Sequence, residues 1–215
     1  MKQAKHDEFL KHFPISRETF QALELYEAML REWNQKFNLI GNSTLPEIWT
    51  RHFLDSAQIM SYIPEETQSL ADMGSGAGFP GIVLSILGVP EVHLIESVGK
   101  KAVFLYEIVK ALDLNVAVHQ GRVEDMHNFK ADIITARALK PLPELIKLAN
   151  PLMHKGSFGI FLKGKNVLEE LTESAQSWTF DFAKSPSISD PSGSVLIIKN
   201  LRSKHAGKPK PKRKK

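Results

Sequence analysis

Residues 71–81 read Ala71-Asp72-Met73-Gly74-Ser75-Gly76-Ala77-Gly78-Phe79-Pro80-Gly81, and this stretch decides the fold. A short apolar strand ending at Met73 breaks into alternate glycines and restarts as a helix near Pro80, a residue suited to a first helical turn. Glycines at 74, 76 and 78 let the backbone turn sharply and approach a ligand that a Cβ would hold off. Outward from this loop, short apolar runs alternate with helical segments, which is the pattern of a parallel sheet flanked by helices. Strands are expected near 69–73, 92–96, 116–119, 132–136 and 158–163, with helices near 80–87, 100–112, 142–149 and 166–176. The end differs. Trp178 to Phe182 alternates apolar and polar residues, Val195 to Lys199 follows, and the Ser/Pro/Asp/Gly loop between them predicts an antiparallel hairpin at the sheet edge. The expected class is α/β and Rossmann-like: a mostly parallel seven-stranded sheet with an antiparallel C-terminal hairpin, preceded by N-terminal helices.

Toward the N-terminus the hydrophobic period becomes helical. Phe20, Leu23, Leu30, Trp33 and Phe37 form one apolar stripe on a helix over 17–36, so Trp33 and Phe37 are read as core rather than as stacking partners for bases. Thr44 and Glu47 make a capping-box pattern that predicts a second helix toward Tyr62. The expected organisation is a helical extension over 1–64 packed on the core, a main domain over 65–200 and a disordered basic tail over 201–215. A chain of 215 residues, 42% hydrophobic, can bury one substantial core. The absence of cysteine excludes disulfides, thiolate metal sites and cysteine nucleophiles. The eight histidines show no metal-ligand spacing, and no metal is expected. With no apolar leader in residues 1–20 and no membrane-length apolar run, the protein is expected to be soluble and cytoplasmic. A monomer is expected as well. The net charge of +4 is uneven: residues 204–215 hold seven Lys or Arg and no acid, which leaves the rest at −3. That tail reads either as a solubilising end or as a nonspecific RNA tether.

The glycine loop lies at the carboxyl end of the first strand, where doubly wound sheets place their ligands. Gly76, Gly78 and Gly81 satisfy G-x-G-x-x-G, and Glu96 ends the second strand within reach of a ribose diol, features that also suit a dinucleotide. Asp72 tips the balance, because a carboxylate at the loop mouth repels a pyrophosphate and attracts a sulfonium and an ammonium. S-adenosylmethionine carries both. The plainer alternative is that Asp72 caps the following turn. On the acceptor side, residues 134–139 (Ile-Thr-Ala-Arg-Ala-Leu) lack the Asp/Asn-Pro-Pro-aromatic word of exocyclic-amine methyltransferases, and pyrimidine C5 chemistry needs an absent cysteine. Guanine N7 is already a lone-pair nucleophile, so it needs positioning more than a base. Arg137, at the cleft edge, suits a guanine carbonyl or a phosphate.

Trp33-Asn34 with Asn38-Leu39-Ile40, Arg51-His52-Phe53-Leu54-Asp55-Ser56, the 72–81 loop, Arg122-Val123-Glu124, Arg137-Ala138 and Lys163-Gly164 occur in this order. From about Leu30 to Lys199 the chain thereby resembles the ribosomal RNA small-subunit methyltransferase G (glucose-inhibited division protein B) family. The resemblance implies a methyltransferase fold, S-adenosylmethionine as cofactor and transfer to guanine N7 in the decoding-region loop of 16S rRNA. It implies donor contacts at Gly74, Phe79, Val123, Glu124 and Arg137, which join Asp72, Gly76, Gly78 and Glu96. Glu96 stands where the family pattern has Asp, a chemically equivalent carboxylate. Arg51, His52 and Asp55 share a helical face that presents either a polar patch to RNA or a surface ion pair. Lys163 and Lys165 either contact phosphate or sit in a solvated loop. Competing functions are a methyltransferase for a non-RNA substrate and a noncatalytic RNA-binding assembly factor. The basic tail favours RNA, and the intact glycine loop argues against a dead fold.

Overall fold

The structure is a computed structural model that describes the backbone of residues 2–204 and the side chains of residues 6–204. Seven strands form one sheet: β1 (Ser69–Met73), β2 (Glu91–Glu96), β3 (Val116–Gln120), β4 (Ala131–Arg137), β5 (Met153–Lys163), β6 (Trp178–Pro186) and β7 (Ser194–Ser203). Their order is β3-β2-β1-β4-β5-β7-β6, parallel except for β7, which runs antiparallel to both β5 and β6. The chain reverses direction across the sheet between β1 and β4, which leaves a crevice at the carboxyl ends. Because β7 reaches Ser203, residues 201–203, expected in the tail, are strand instead. Lys204 Nζ donates to the Ala175 carbonyl. The remainder of the tail lies outside the described residues.

Side-chain alternation splits the sheet between two cores. Leu70, Leu94, Ile133 and Ile160 face a layer made by α2 (Arg17–Phe37), α4 (Gly81–Ile86), α5 (Gly99–Ala111) and the N-terminal segment. Ala71, Ile95, Ile134 and Phe161 face α6 (Leu142–Ala149) and α7 (Val167–Ser177). Phe9, Leu23, Tyr26, Leu30, Trp49 and Phe53 belong to the first cluster, so the N-terminal helices share a core with the sheet. Ser16 caps α2 by accepting from Thr19 N–H; of the apolar stripe Leu23 and Leu30 are buried, and Phe20, Trp33 and Phe37 are partly buried against the same core. An additional helix, α1 (Lys2–His12), seats Phe9 against Trp49.

Residues 42–62 are not the single helix expected. A 3₁₀ helix (Asn42–Glu47), a π-helical stretch (Trp49–Leu54), one α turn, α3 (Asp55–Ala57), and a second 3₁₀ segment (Gln58–Tyr62) follow one another. Thr44 does not cap. Its hydroxyl donates to the Gly41 carbonyl and pairs with His52 Nε2 at 2.9 Å, a tertiary bond that displaces the local one.

Candidate active site

At the end of β1 the chain turns through Gly74 (φ 66°), Gly76 (φ 60°) and Gly78 (φ 100°) before α4 begins at Gly81, with Pro80 as its cap residue. Ser75 N–H donates to the Ile95 carbonyl, tying the loop to β2. Glu96 clamps the same loop: its Oε2 accepts from Gly76 N–H (2.8 Å) and its Oε1 from Val98 N–H (2.7 Å). Glu96 is therefore a buried loop support rather than a solvated strand end, and each oxygen keeps a lone pair for a hydroxyl. From the other side Tyr26 Oη donates to the Ala77 carbonyl at 2.6 Å, and its ring stacks on Phe79.

Asp72 does not aim into the loop mouth. Residues two apart share a face, so it follows Leu70 beneath α4, wholly buried, where Oδ2 accepts from Gly81 N–H and Oδ1 from the Thr135 hydroxyl. Burial pushes its pKa up to about 6 against the pull of these bonds. Asp72 thus supports the start of α4 by accepting from Gly81 N–H. Val123 is buried in the 3₁₀ turn Val123–Asp125 and Glu124 is exposed there, just past Gln120, which pairs with Glu96 across β2 and β3.

Arg137 ends β4 and its guanidinium crosses to the N-terminal segment. Nη1 donates to the Arg51 carbonyl (3.0 Å) and meets Asp55 Oδ2 (3.3 Å), Nη2 donates to His52 Nδ1 (2.9 Å), and the group lies 5.1 Å over the Phe79 ring. An arginine can only donate, so His52 Nδ1 carries no proton and Nε2 donates to Thr44. The buried His52, which burial and the neighbouring Arg137 and Arg51 charges lower to about 3, is neutral at ordinary pH. The expected shared polar face consequently splits: Arg51 is exposed, whereas His52 and Asp55 turn inward.

These groups line a cavity of about 370 Å³ at the carboxyl ends of β4 and β5. Its far wall is the loop joining β6 to β7, which sequence reading treats only as a turn. Lys163 also lines it, but Nζ is committed to Glu170 (2.6 Å) and the Lys140 carbonyl, so it is not a free phosphate contact. Lys165 lies apart from the cavity, exposed in the turn before α7. Among the described residues, no group of three or more His, Asp or Glu could hold a metal.

The two buried titrations oppose each other. Asp72's folded pKa lies above its unfolded value, so its ionisation costs about 3 kcal/mol as pH rises from about 4 to 6. His52's folded pKa lies below its unfolded one, so stability falls as pH drops from about 6.5 toward 3. Asp72→Asn removes the first effect and exposes the second. Urea midpoints at pH 6.5 and 4 should therefore fall further in the variant than in the parent; parallel pH profiles would show that Asp72 is not the compensating group.

The family description "rRNA small subunit methyltransferase G" (GidB) matches residues 19–196. Relatives bearing the name ribosomal RNA small subunit methyltransferase G include those of Rhodospirillum rubrum and Methylobacterium nodulans. The first is 46% identical over 88% of this chain and 94% of its own, the second 39% over 94% and 98%. Among solved structures, the ribosomal protein L11 methylase of Lactobacillus delbrueckii subsp. bulgaricus aligns with TM-score 0.57 and 19% identity, covering 74% of this chain and 79% of its own. The glycopeptide N-methyltransferase MtfA, solved with S-adenosyl-L-methionine, aligns with TM-score 0.58 and 9% identity, covering 69% and 93%. At such identities these two show the fold.

Proposed function

The chain belongs to the rRNA small subunit methyltransferase G family, and we propose that it transfers the methyl group of S-adenosylmethionine to N7 of a guanine in 16S rRNA. The observation that carries this reading is adjacency: the glycine loop and the Arg137 cavity open side by side at the carboxyl ends of neighbouring strands, with Phe79 shared between them.

The loop fits the donor. A Cβ on Gly76 would meet no atom nearer than the Gly74 carbonyl oxygen at 3.9 Å, so the backbone lies open to close approach. The Glu96 carboxylate keeps acceptor capacity for a ribose diol, and its charge suits a cationic ligand. Gly74, Gly76, Gly78, Phe79, Val123 and Glu124 would complete the donor's surroundings. The bound donor supplies a methyl on a sulfonium, which needs no added activation. On the acceptor side, Arg137 donates to guanine O6 or a flanking phosphate and fixes the ring with N7 toward the loop. His52 cannot serve as a base because its free lone pair is spent on Arg137, and N7 has no proton to surrender. Arg51 and Lys165 are both exposed, which supports a contact from each to RNA phosphate.

Calorimetry with S-adenosylmethionine, S-adenosylhomocysteine and NAD tests the ligand, and mapping of methylated guanines in 16S rRNA with and without the gene tests the substrate. Binding of the first two and loss of one N7-methylguanine are expected. NAD binding without a response to S-adenosylmethionine, or an unchanged rRNA, would overturn the reading. Among the described residues no helix is long and apolar enough to cross a membrane.

A further inference from the structure

We propose that Asp190 reads the Watson–Crick edge of the target guanine, a specificity role that rests on the methyl-transfer reading above. Guanine presents N7 and O6 on one edge and the N1–H and N2–H₂ donors on the other. If N7 faces the glycine loop and O6 faces Arg137, the donor edge faces the opposite wall of the cavity, the loop between β6 and β7. A base taken out of water leaves those donors unsatisfied unless an acceptor meets them there.

Two carboxylates line the cavity, Asp55 and Asp190. Asp55 is spent: Oδ1 accepts from the Ser189 hydroxyl (2.5 Å) and Gln58 Nε2 (2.9 Å), and Oδ2 meets Arg137. Asp190 is half spent. Its Oδ1 accepts from Ser192 N–H (2.9 Å) and the Ser192 hydroxyl (2.8 Å), while Oδ2 accepts no hydrogen bond among the described residues. The Ser192 N–H and hydroxyl bonds also hold the carboxyl below its usual range, which keeps it charged at neutral pH. Its backbone is fixed as well. Gly193 N–H donates to the Asp190 carbonyl, Asp190 N–H to the Ser187 hydroxyl, and Gln58 holds the loop by accepting from Ile188 N–H. A charged acceptor on a pinned loop is preorganised for two neighbouring donors. Adenine, which places a lone pair at N1, would meet repulsion at the same point.

The test uses reconstituted small subunits carrying guanosine or inosine at the methylated position. Inosine keeps N7, O6 and N1–H and lacks only the 2-amino group. The parent enzyme should prefer guanosine by about 10- to 100-fold in kcat/KM, the range expected for a hydrogen bond to a charged partner. Asp190→Asn keeps an oxygen for Ser192 but turns a donor toward the base, and should bring the guanosine-to-inosine ratio near one, with S-adenosylmethionine affinity unchanged. Ser192→Ala keeps the carboxylate and should keep the ratio, which separates base reading from shaping of the turn. Asp190→Ala supplies a second variant if the asparagine disturbs folding. A parent enzyme that methylates both substrates equally, or an Asp190→Asn enzyme that still discriminates, overturns the proposal alone. A parent enzyme that modifies neither substrate despite binding S-adenosylmethionine overturns the function itself, and the proposal with it.

Discussion

Arg137→Ala should lower methyl transfer to small subunits by about 100-fold or more and S-adenosylmethionine binding by far less, because the guanidinium reaches the glycine loop only through the Phe79 ring. The guanidinium touches both the Phe79 ring of the glycine loop and the Asp55 and His52 walls of the neighbouring cavity. A charge-assisted arginine hydrogen bond to guanine O6 is worth about 1.5–3 kcal/mol, and a displaced acceptor loses the near-attack geometry on which an unassisted transfer depends. The substitution also strands Asp55, mostly covered at 16% side-chain exposure, without its cation, so some stability is lost as well. The double variant Arg137→Ala with Asp55→Asn removes that stranded charge. It should recover the stability without the turnover. Circular dichroism, calorimetry and a tritiated-methyl assay read the three quantities separately; a single variant with unchanged turnover would leave Arg137 as a strut between β4 and the N-terminal segment.

Much of this architecture is legible in the sequence because it follows from local pattern. The β1 run and the glycines after it are an apolar period broken by residues that accept positive φ without a Cβ penalty, so both strand and loop fall where expected. Legibility fails where a distant partner wins. Thr44 looks like a helix cap, but its hydroxyl is claimed by His52, and the predicted helix breaks into 3₁₀, π and α turns. Asp72 looks like a ligand contact until alternation is followed one residue back to the buried Leu70, which sends the carboxylate under α4. Strand β5 begins at Met153 rather than near 158, because its exposed opening, His154-Lys155-Gly156, carries no apolar run. Lys163 reads as a phosphate contact only while Glu170 is out of view. The cavity around Arg137 is the least legible feature. It joins residues 51–55, 137 and 187–190, and no periodicity links positions that meet only after the hairpin folds back.

Two glycines of the loop should separate under the same substitution. Gly78→Ala places a Cβ within 2.6 Å of Ile82 Cγ1 and 2.8 Å of Tyr26 Oη at φ 100°, in a buried region where moving Tyr26 would disturb the Phe79 ring it stacks on. Overpacking of this kind costs about 1–3 kcal/mol, to which the left-handed backbone adds about 1–2 kcal/mol. The loop should therefore rearrange, and donor affinity and melting temperature should fall together. Gly76→Ala places its Cβ in open space at φ 60°, where only the backbone penalty of about 1–2 kcal/mol applies. Its melting temperature should move little by comparison. The open space beside Gly76, next to the Glu96 clamp, is nevertheless where the donor must approach, so calorimetry should show S-adenosylmethionine binding weakened beyond detection in a protein that remains folded. If Gly76→Ala binds S-adenosylmethionine like the parent, the donor does not lie against that backbone, and Glu96 serves the loop rather than a ribose. If Gly78→Ala melts like the parent, Tyr26 and Ile82 yield more readily than their burial implies, and the loop is not held rigid by the helix above it.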